Sequence, residues 1–298
     1  MLIEDHIKHN KRLTILICSF MALLFLSVVF AFGYIFFGNI YISLIFGLPI
    51  AIIYVAITYS FSVNTVLSAA KARPANSNNR EEKLLIYKVE EMSIAAGIPM
   101  PKVYVQDSDS INAFATGKKP EDAVICATTG ALRKLKTDEL EGVIAHEMSH
   151  IKNHDILIAT VTIGVVGAIA LLSEIVFYSM FWGGLGRGGK RNEGNAIIMI
   201  LAIVLIILAP IFSRLTYLAI SRKREYLADS NGAYLTRNPE GLAKALEKIK
   251  NDMPQGKPKG SKTVAPLYIA NPFKHQTINS IWATHPPLDE RVRRLRAM

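Results

Sequence analysis

The stretch Asp138-Glu139-Leu140-Glu141-Gly142-Val143-Ile144-Ala145-His146-Glu147-Met148-Ser149-His150 decides how the rest of the chain is read. Asp138 with Glu141 three residues on resembles a capping box and predicts a helix running through Ile151. Within it, His146, Glu147 and His150 form an H-E-x-x-H motif. Residues four apart on an α-helix share one face at about 6 Å, so both imidazoles can hold one ion. Zinc suits this pattern, and Glu147 can take the proton of an activated water as it attacks a carbonyl. A solvated helix face needs no special setting, whereas this helix lies between strand-like segments and an apolar run, the context that the chemistry requires.

Two histidines leave a tetrahedral hydrolytic site one protein ligand short. A histidine ten residues after His146 would extend the motif, but that position is Ile156. His154 would have to reach the same ion from a third position along one straight helix, which rotation about the axis opposes; it reads as a polar residue opening an apolar run. In Arg222-Lys223-Arg224-Glu225-Tyr226-Leu227-Ala228-Asp229, Glu225 and Asp229 share a helix face. Glu225 can ligate zinc while Asp229 accepts a hydrogen bond from a ligand histidine. A surface ion pair with the adjacent arginines fits the same spacing.

Upstream, Pro74-Ala75-Asn76-Ser77-Asn78-Asn79 is a polar linker, and Glu81–Ala96 has helical spacing through Leu84, Leu85, Val89 and Met92, with Gly97 and Pro99 ending it. Lys102–Gln106 and Ala123–Ala127 read as strands, and Ile111–Thr116 as a third. Downstream, helices are expected over Arg222–Leu235 and Glu240–Asn251, then a mobile loop over Asp252–Lys262.

Four apolar segments surround these parts. Leu13 to Ala70 contains no Asp, Glu, Lys or Arg over 58 residues, which fits two membrane spans with a turn near Gly38-Asn39. The first run is too long for a signal peptide and lacks a small-residue cleavage site. Ile156–Gly183, interrupted by Glu174, and Ala196–Ser213 supply a third and a fourth; their length favours spanning over a buried hairpin. The expected division is 1–12 N-terminus, 13–70 two spans, 71–155 first catalytic part, 156–220 third and fourth segments, and 221–298 second catalytic part. Lys8, Lys11, Arg12, Lys71, Arg73 and Arg222 to Arg224 place both termini and the 71–155 segment in the cytoplasm, while Arg187, Lys190 and Arg191 argue the other way.

Composition agrees with a membrane protein: 51% of residues are hydrophobic and 19% charged, below the quarter usual in soluble domains. The net charge of +10 sits mainly in 221–298, with 15 basic against 7 acidic residues, suited to an anionic lipid surface. No aromatic-interleaved basic groove is present, so nucleic acid is not an expected partner. Cys18 and Cys126 cannot form a disulfide framework or a Cys-rich zinc module.

Five motifs then carry a family resemblance: Asn112-Ala113-Phe114-Ala115-Thr116-Gly117, Thr128-Thr129-Gly130-Ala131-Leu132, the stretch from Asp138 through His150, Glu225 with Asp229, and Thr284-His285-Pro286-Pro287. In that order they resemble the HtpX heat-shock membrane proteases, relatives of the CaaX prenyl endopeptidases, over nearly the whole chain. The resemblance implies an α+β, mainly helical architecture: a gluzincin-like zinc metalloprotease domain with a small β-sheet, attached to about four transmembrane helices. It implies one Zn2+ per chain on His146, His150 and Glu225, with Glu147 as catalytic base. It further implies a metalloendopeptidase (EC 3.4.24 type) of the cell membrane, active under stress on unfolded or damaged proteins at the cytoplasmic face.

Secondary roles follow. Asn112, Ala113 and Phe114, within Asn112–Thr116, form an expected edge strand able to pair with an extended substrate, or an ordinary sheet edge. His285 is expected to donate to the oxyanion of the tetrahedral intermediate with Arg291 assisting, although Pro286-Pro287 can equally be punctuation before a C-terminal helix. Two other classes compete: a catalytically silent membrane adaptor, which intact His146, Glu147, His150 and Glu225 oppose, and a small-solute transporter, which four spans without paired half-repeats oppose.

Overall fold

The computed structural model describes residues 3–182, 194–252, 267–270 and 285–298. The basic loop residues Arg187, Lys190 and Arg191, and most of the loop expected over Asp252–Lys262, lie outside the described residues. The chain divides into two compact units, one of Met1–Thr14, Ser62–Thr160 and Leu218–Met298, the other of Ile15–Phe61 and Val161–Tyr217.

The second unit is made of parts of four helices whose remaining residues belong to the first. Helix α1 (Ile3–Phe37) and helix α2 (Ile40–Ala70) meet at a turn where Gly38 adopts φ 63°. The Asn39 side chain then caps α2 by accepting from the Tyr41 and Ile42 N–H groups. The two helices touch through small residues: a Cβ on Gly33 would lie 3.2 Å from Ser43 Cβ. Ile15–Phe37 and Ile40–Ser60 are long and apolar enough to cross a bilayer. Leu23, Ile45, Phe46 and Ile50 point outward, which water would disfavour and lipid would not. Helix α6 (Asp155–Trp182) and helix α7 (Gly194–Thr236) contain the shorter apolar runs Gly167–Tyr178 and Ile200–Ile211.

The expected boundary after Ser213 is absent. Helix α7 continues without a break to Thr236, joining the fourth apolar segment to the expected Arg222–Leu235 helix. Charge begins at Arg214, but no Gly or Pro follows until Gly232, and hydropathy alone does not end a helix.

The first unit holds a four-stranded mixed sheet in the order β1-β2-β4-β3, from β1 (Ala72–Pro74), β2 (Lys102–Gln106), β3 (Ala113–Thr116) and β4 (Val124–Thr128). Strand β4 runs parallel to β2 and antiparallel to β3, while β1 pairs antiparallel with β2. Strand β1 was not anticipated; it is short, ends on a proline at a sheet edge, and so carries little pattern. Helix α3 (Arg80–Ala96) is capped by the Asn79 side chain and stopped by Gly97 at φ 67°. Its Leu85, Val89 and Met92 enter the core, whereas Leu84 faces outward.

Helix α4 (Thr129–Lys134) leads into α5 (Thr137–Lys152), the helix of the quoted stretch. Its capping carboxylate is Glu139, whose Oε2 accepts from the Lys136 N–H at 2.7 Å. The expected partner Glu141 instead binds Lys88 Nζ at 2.5 Å, because the helix begins two residues earlier than the Asp138–Glu141 pattern suggests. Leu140, Val143, Ile144, Met148 and Ile151 of α5 meet Leu242, Leu246 and Ile249 of α8 (Pro239–Asn251), with Val292 and Leu295 of α9 (Leu288–Arg296) closing the same core.

The α5–α8 crossing is close because each helix offers a glycine at it. A Cβ on Gly142 would lie 2.7 Å from the Leu242 nitrogen, and one on Gly241 would lie 2.7 Å from the Asp138 carbonyl oxygen. Backbone cannot yield as a side-chain tip can, so Gly142→Ala is expected to cost about 1–3 kcal/mol and lower the thermal midpoint of metal-free protein by several degrees. Gly167→Ala, where an added Cβ meets nothing within 4 Å, is the matched control and should leave the midpoint unchanged.

Candidate metal centre

Helix α5 presents His146 and His150 on one face with Nε2 atoms 3.2 Å apart and the rings edge-on at 90°. Helix α7 brings Glu225 onto them, Oε2 lying 3.7 Å from His146 Nε2 and Oε1 lying 3.6 Å from His150 Nε2. Gly232 permits that approach, since a Cβ there would stand 3.1 Å from the His146 nitrogen. Four ligands at 2.0–2.1 Å around tetrahedral zinc are separated by about 3.3 Å, close to these three spacings. Among the described residues this is the one cluster of three such groups whose ligand atoms all lie within 4.8 Å of one another. His154, at φ 59° just past the end of α5, is not part of it.

Both histidines are held from behind. His146 Nδ1 lies 3.0 Å from Asp229 Oδ1, and His150 Nδ1 lies 3.0 Å from Asp155 Oδ2. Arg291 grips Asp229 with two hydrogen bonds of 2.8 and 2.7 Å. Arg224 binds the second oxygen of Asp155. Asp229 is where the Glu225–Asp229 spacing predicts. Asp155 and Arg224 were missed as site residues; the signal available was an acid five residues past the second histidine, directly before an uncharged run.

Burial and charge oppose each other throughout the cluster. Burial would raise Asp229, but Arg291 and the hydrogen bond with His146 hold it down at about 2. Burial likewise works against Glu225, which His285 and Arg291 keep well below the usual carboxylate range. His146 is lowered by burial, only partly offset by Asp229. His150 is driven up to about 9 against burial, by its bond to Asp155 and by the charge of Glu225. A cation on these nitrogens would be welcomed by the same carboxylates.

Glu147 is 2% exposed and pushed up to about 7 by burial, despite the nearby His150 charge. Its carboxylate accepts from the Ala115 backbone N–H, so strand β3 abuts the group expected to act as base. His285 stands in the same pocket, Nδ1 lying 3.2 Å from Glu225 Oε1 yet out of line for a hydrogen bond. Arg291, fully buried, is not open towards a substrate: besides Asp229 it reaches Glu225 Oε2 at 3.1 Å and the Ile269 carbonyl at 3.4 Å.

Strand β3 lies at a sheet edge, as expected, but part of that edge is already occupied. The Ile269 N–H donates to the Ala113 carbonyl at 3.0 Å, Asn112 Nδ2 donates to the Ala270 carbonyl at 2.7 Å, and Phe114 meets Tyr268 edge to face at 5.2 Å. An edge acceptor left bare invites foreign strands, and this chain covers Asn112, Ala113 and Phe114 with its own residues.

Two helix-borne histidines, a glutamate from a later helix and a buried carboxylate beside them define the site type of a metallopeptidase. Residues 79–298 match the model of peptidase family M48, and the chain belongs to that family. Over its full length it is 41% identical to "Protease HtpX homolog" of Streptococcus agalactiae serotype III (strain NEM316), covering all of both chains. It is 39% identical, again over all of both chains, to the protein of the same description from Ligilactobacillus salivarius (strain UCC118). The resemblance to HtpX-type membrane metalloproteases therefore holds over the whole sequence. In fold it is similar to the crystal structure of S. mikatae Ste24p, with a TM-score of 0.52 at 20% identity, covering 90% of this chain and 61% of that one.

The cluster makes a direct forecast. Purified protein should retain about one divalent metal per chain by atomic emission after dialysis, and His146→Ala or Glu225→Ala should reduce its metal affinity at least about tenfold.

Proposed function

We propose that this chain is a zinc-dependent metalloendopeptidase embedded in the cell membrane, hydrolysing peptide bonds of misfolded or damaged proteins at the cytoplasmic face. The observation that carries this reading is the placement of Glu147: buried, anchored by the Ala115 N–H, and next to the His146–His150–Glu225 cluster. A gluzincin-like ligand set of two histidines and one glutamate suits a single zinc ion, which when bound supplies Lewis-acid polarisation of water and of a substrate carbonyl.

The protein's own groups do the rest. Glu147 accepts the proton of the attacking water and returns it to the leaving amine. Its elevated pKa of about 7 places it near the point at which a carboxylate both accepts and releases a proton readily. His285, at the rim of the cluster, donates towards the oxygen on which negative charge develops. Asp229 and Arg291 hold His146 and Glu225 in place. An extended substrate approaches Glu147 along β3, and pairing at the Ala113 carbonyl requires Ile269 to yield its hydrogen bond.

Membrane attachment through four spans is supported by the two long apolar helices and by the length of α6 and α7. The cytoplasmic orientation rests on the basic residues that flank them. Quality control of damaged proteins under stress rests on the resemblance to the HtpX heat-shock proteases.

The test is cleavage of unfolded casein by detergent-purified, zinc-loaded protein. Wild type should cleave, and Glu147→Gln should keep one zinc per chain while the rate falls by roughly 10²–10⁴. Wild-type kcat/KM should decline as pH drops through the Glu147 ionisation at or below about 7, because only the ionised carboxylate accepts a proton. Zinc bound without cleavage by wild type would favour the silent adaptor instead. His285→Ala should lower kcat with zinc content unchanged; loss of zinc would make His285 part of the metal's support rather than of the reaction.

A further inference from the structure

The two metal-facing histidines are backed by matching assemblies. His146 leans on Asp229, which Arg291 holds, and His150 leans on Asp155, which Arg224 holds. Asp155 is 7% exposed and Arg224 6%, so this second pair is nearly as enclosed as the first. A carboxylate in such a place is costly unless its oxygens are bonded. Here one oxygen takes Arg224 and the other takes His150 Nδ1.

We propose that Asp155, fixed by Arg224, is the positioning residue that sets the tautomer of His150 for metal binding. The inference rests on the zinc reading above and extends it to residues outside the expected ligand set. A neutral imidazole carries one N–H and one lone pair. An ionised carboxylate can only accept, so the N–H is drawn to Nδ1, and the lone pair is left on Nε2, the atom facing His146 and Glu225. Arg224 does more than balance charge. It can only donate, so it dictates which way any side chain at position 155 turns its acceptor. Arg224 also directly precedes Glu225 on α7, and Asp155 opens α6 five residues after His150, so the pair fixes the second and third ligands against each other.

This logic gives an unequal pair of variants. In Asp155→Asn the amide oxygen must turn to Arg224, which puts the NH2 group against His150 Nδ1. The histidine then carries its proton on Nε2 and cannot ligate through it. Adding Arg224→Met removes the donor, frees the amide to rotate, and lets its oxygen accept from Nδ1 again.

The experiment measures zinc affinity of the full chain in detergent by competition with a chromophoric chelator, alongside the thermal midpoint of each metal-free variant. Asp155→Asn is expected to weaken zinc binding 10–100-fold with a metal-free midpoint near that of wild type. The double variant Asp155→Asn/Arg224→Met is expected to regain most of that loss. An unchanged affinity in Asp155→Asn overturns the proposal while leaving the zinc centre standing. So does an equal loss in both variants that follows a falling midpoint, which would make the pair a structural tie alone. Failure of wild type to bind zinc would sink the zinc reading together with this one. Should the variants not fold, 15N NMR of histidine-labelled, zinc-loaded wild type decides: His150 is expected to be protonated at Nδ1 and coordinated at Nε2, and coordination at Nδ1 overturns the assignment.

Discussion

The centre depends on charge compensation out of contact with water. Glu147, Glu225, Asp229 and Asp155 are all buried within a few side chains of one another, together with buried His146 and half-buried His150. Four carboxylates in such a space repel one another strongly unless cations are built in with them. Arg291 is the main one, fully enclosed and touching both Asp229 and Glu225. Its helix, α9, also packs into the core through Val292 and Leu295. The Arg291 guanidinium also donates to the Ile269 carbonyl. The geometry of the His146–His150–Glu225 cluster is thus held by ion pairs that the protein supplies itself.

Close helix approach is the second requirement, and it is met by missing side chains. Gly142 and Gly241 let α5 and α8 touch backbone to backbone, and Gly232 lets α7 settle on the α5 backbone at His146. Glu225 and Asp229 lie about two turns and one turn before that last contact, on the same helix. The packing is strict because its neighbours are main-chain atoms.

The parts of this molecule legible in its sequence are those written in short repeats. The two histidines, Glu147 beside the first and the Glu225–Asp229 pair are spaced by helix geometry, α3 shows its helical spacing, and β2 is marked by its β-branched and apolar residues. The continuity of α7 was hidden because a change from apolar to charged residues at Arg214 imitates a boundary, although no breaker stands there. The Asp155–Arg224 pair was hidden for another reason. Its members are 69 positions apart, and neither position carries a pattern until the helices have been brought together. The covering of β3 by Tyr268–Ala270 belongs to the same category, since pairing partners across 150 residues leave no local trace.

The unbroken run of α7 has a consequence for how the enzyme is born. His146, Glu147 and His150 are synthesised first, then the apolar run of α6, then that of α7, and only afterwards Glu225, Asp229 and Arg291. A nascent chain that has released its H-E-x-x-H helix from the ribosome still has no third ligand and no arginine to quiet its carboxylates. Because Glu225 follows the last apolar run on the same helix, the cluster is complete only after that run has been synthesised. A chain cut short before Glu225 would therefore carry the H-E-x-x-H helix without the third member of the cluster.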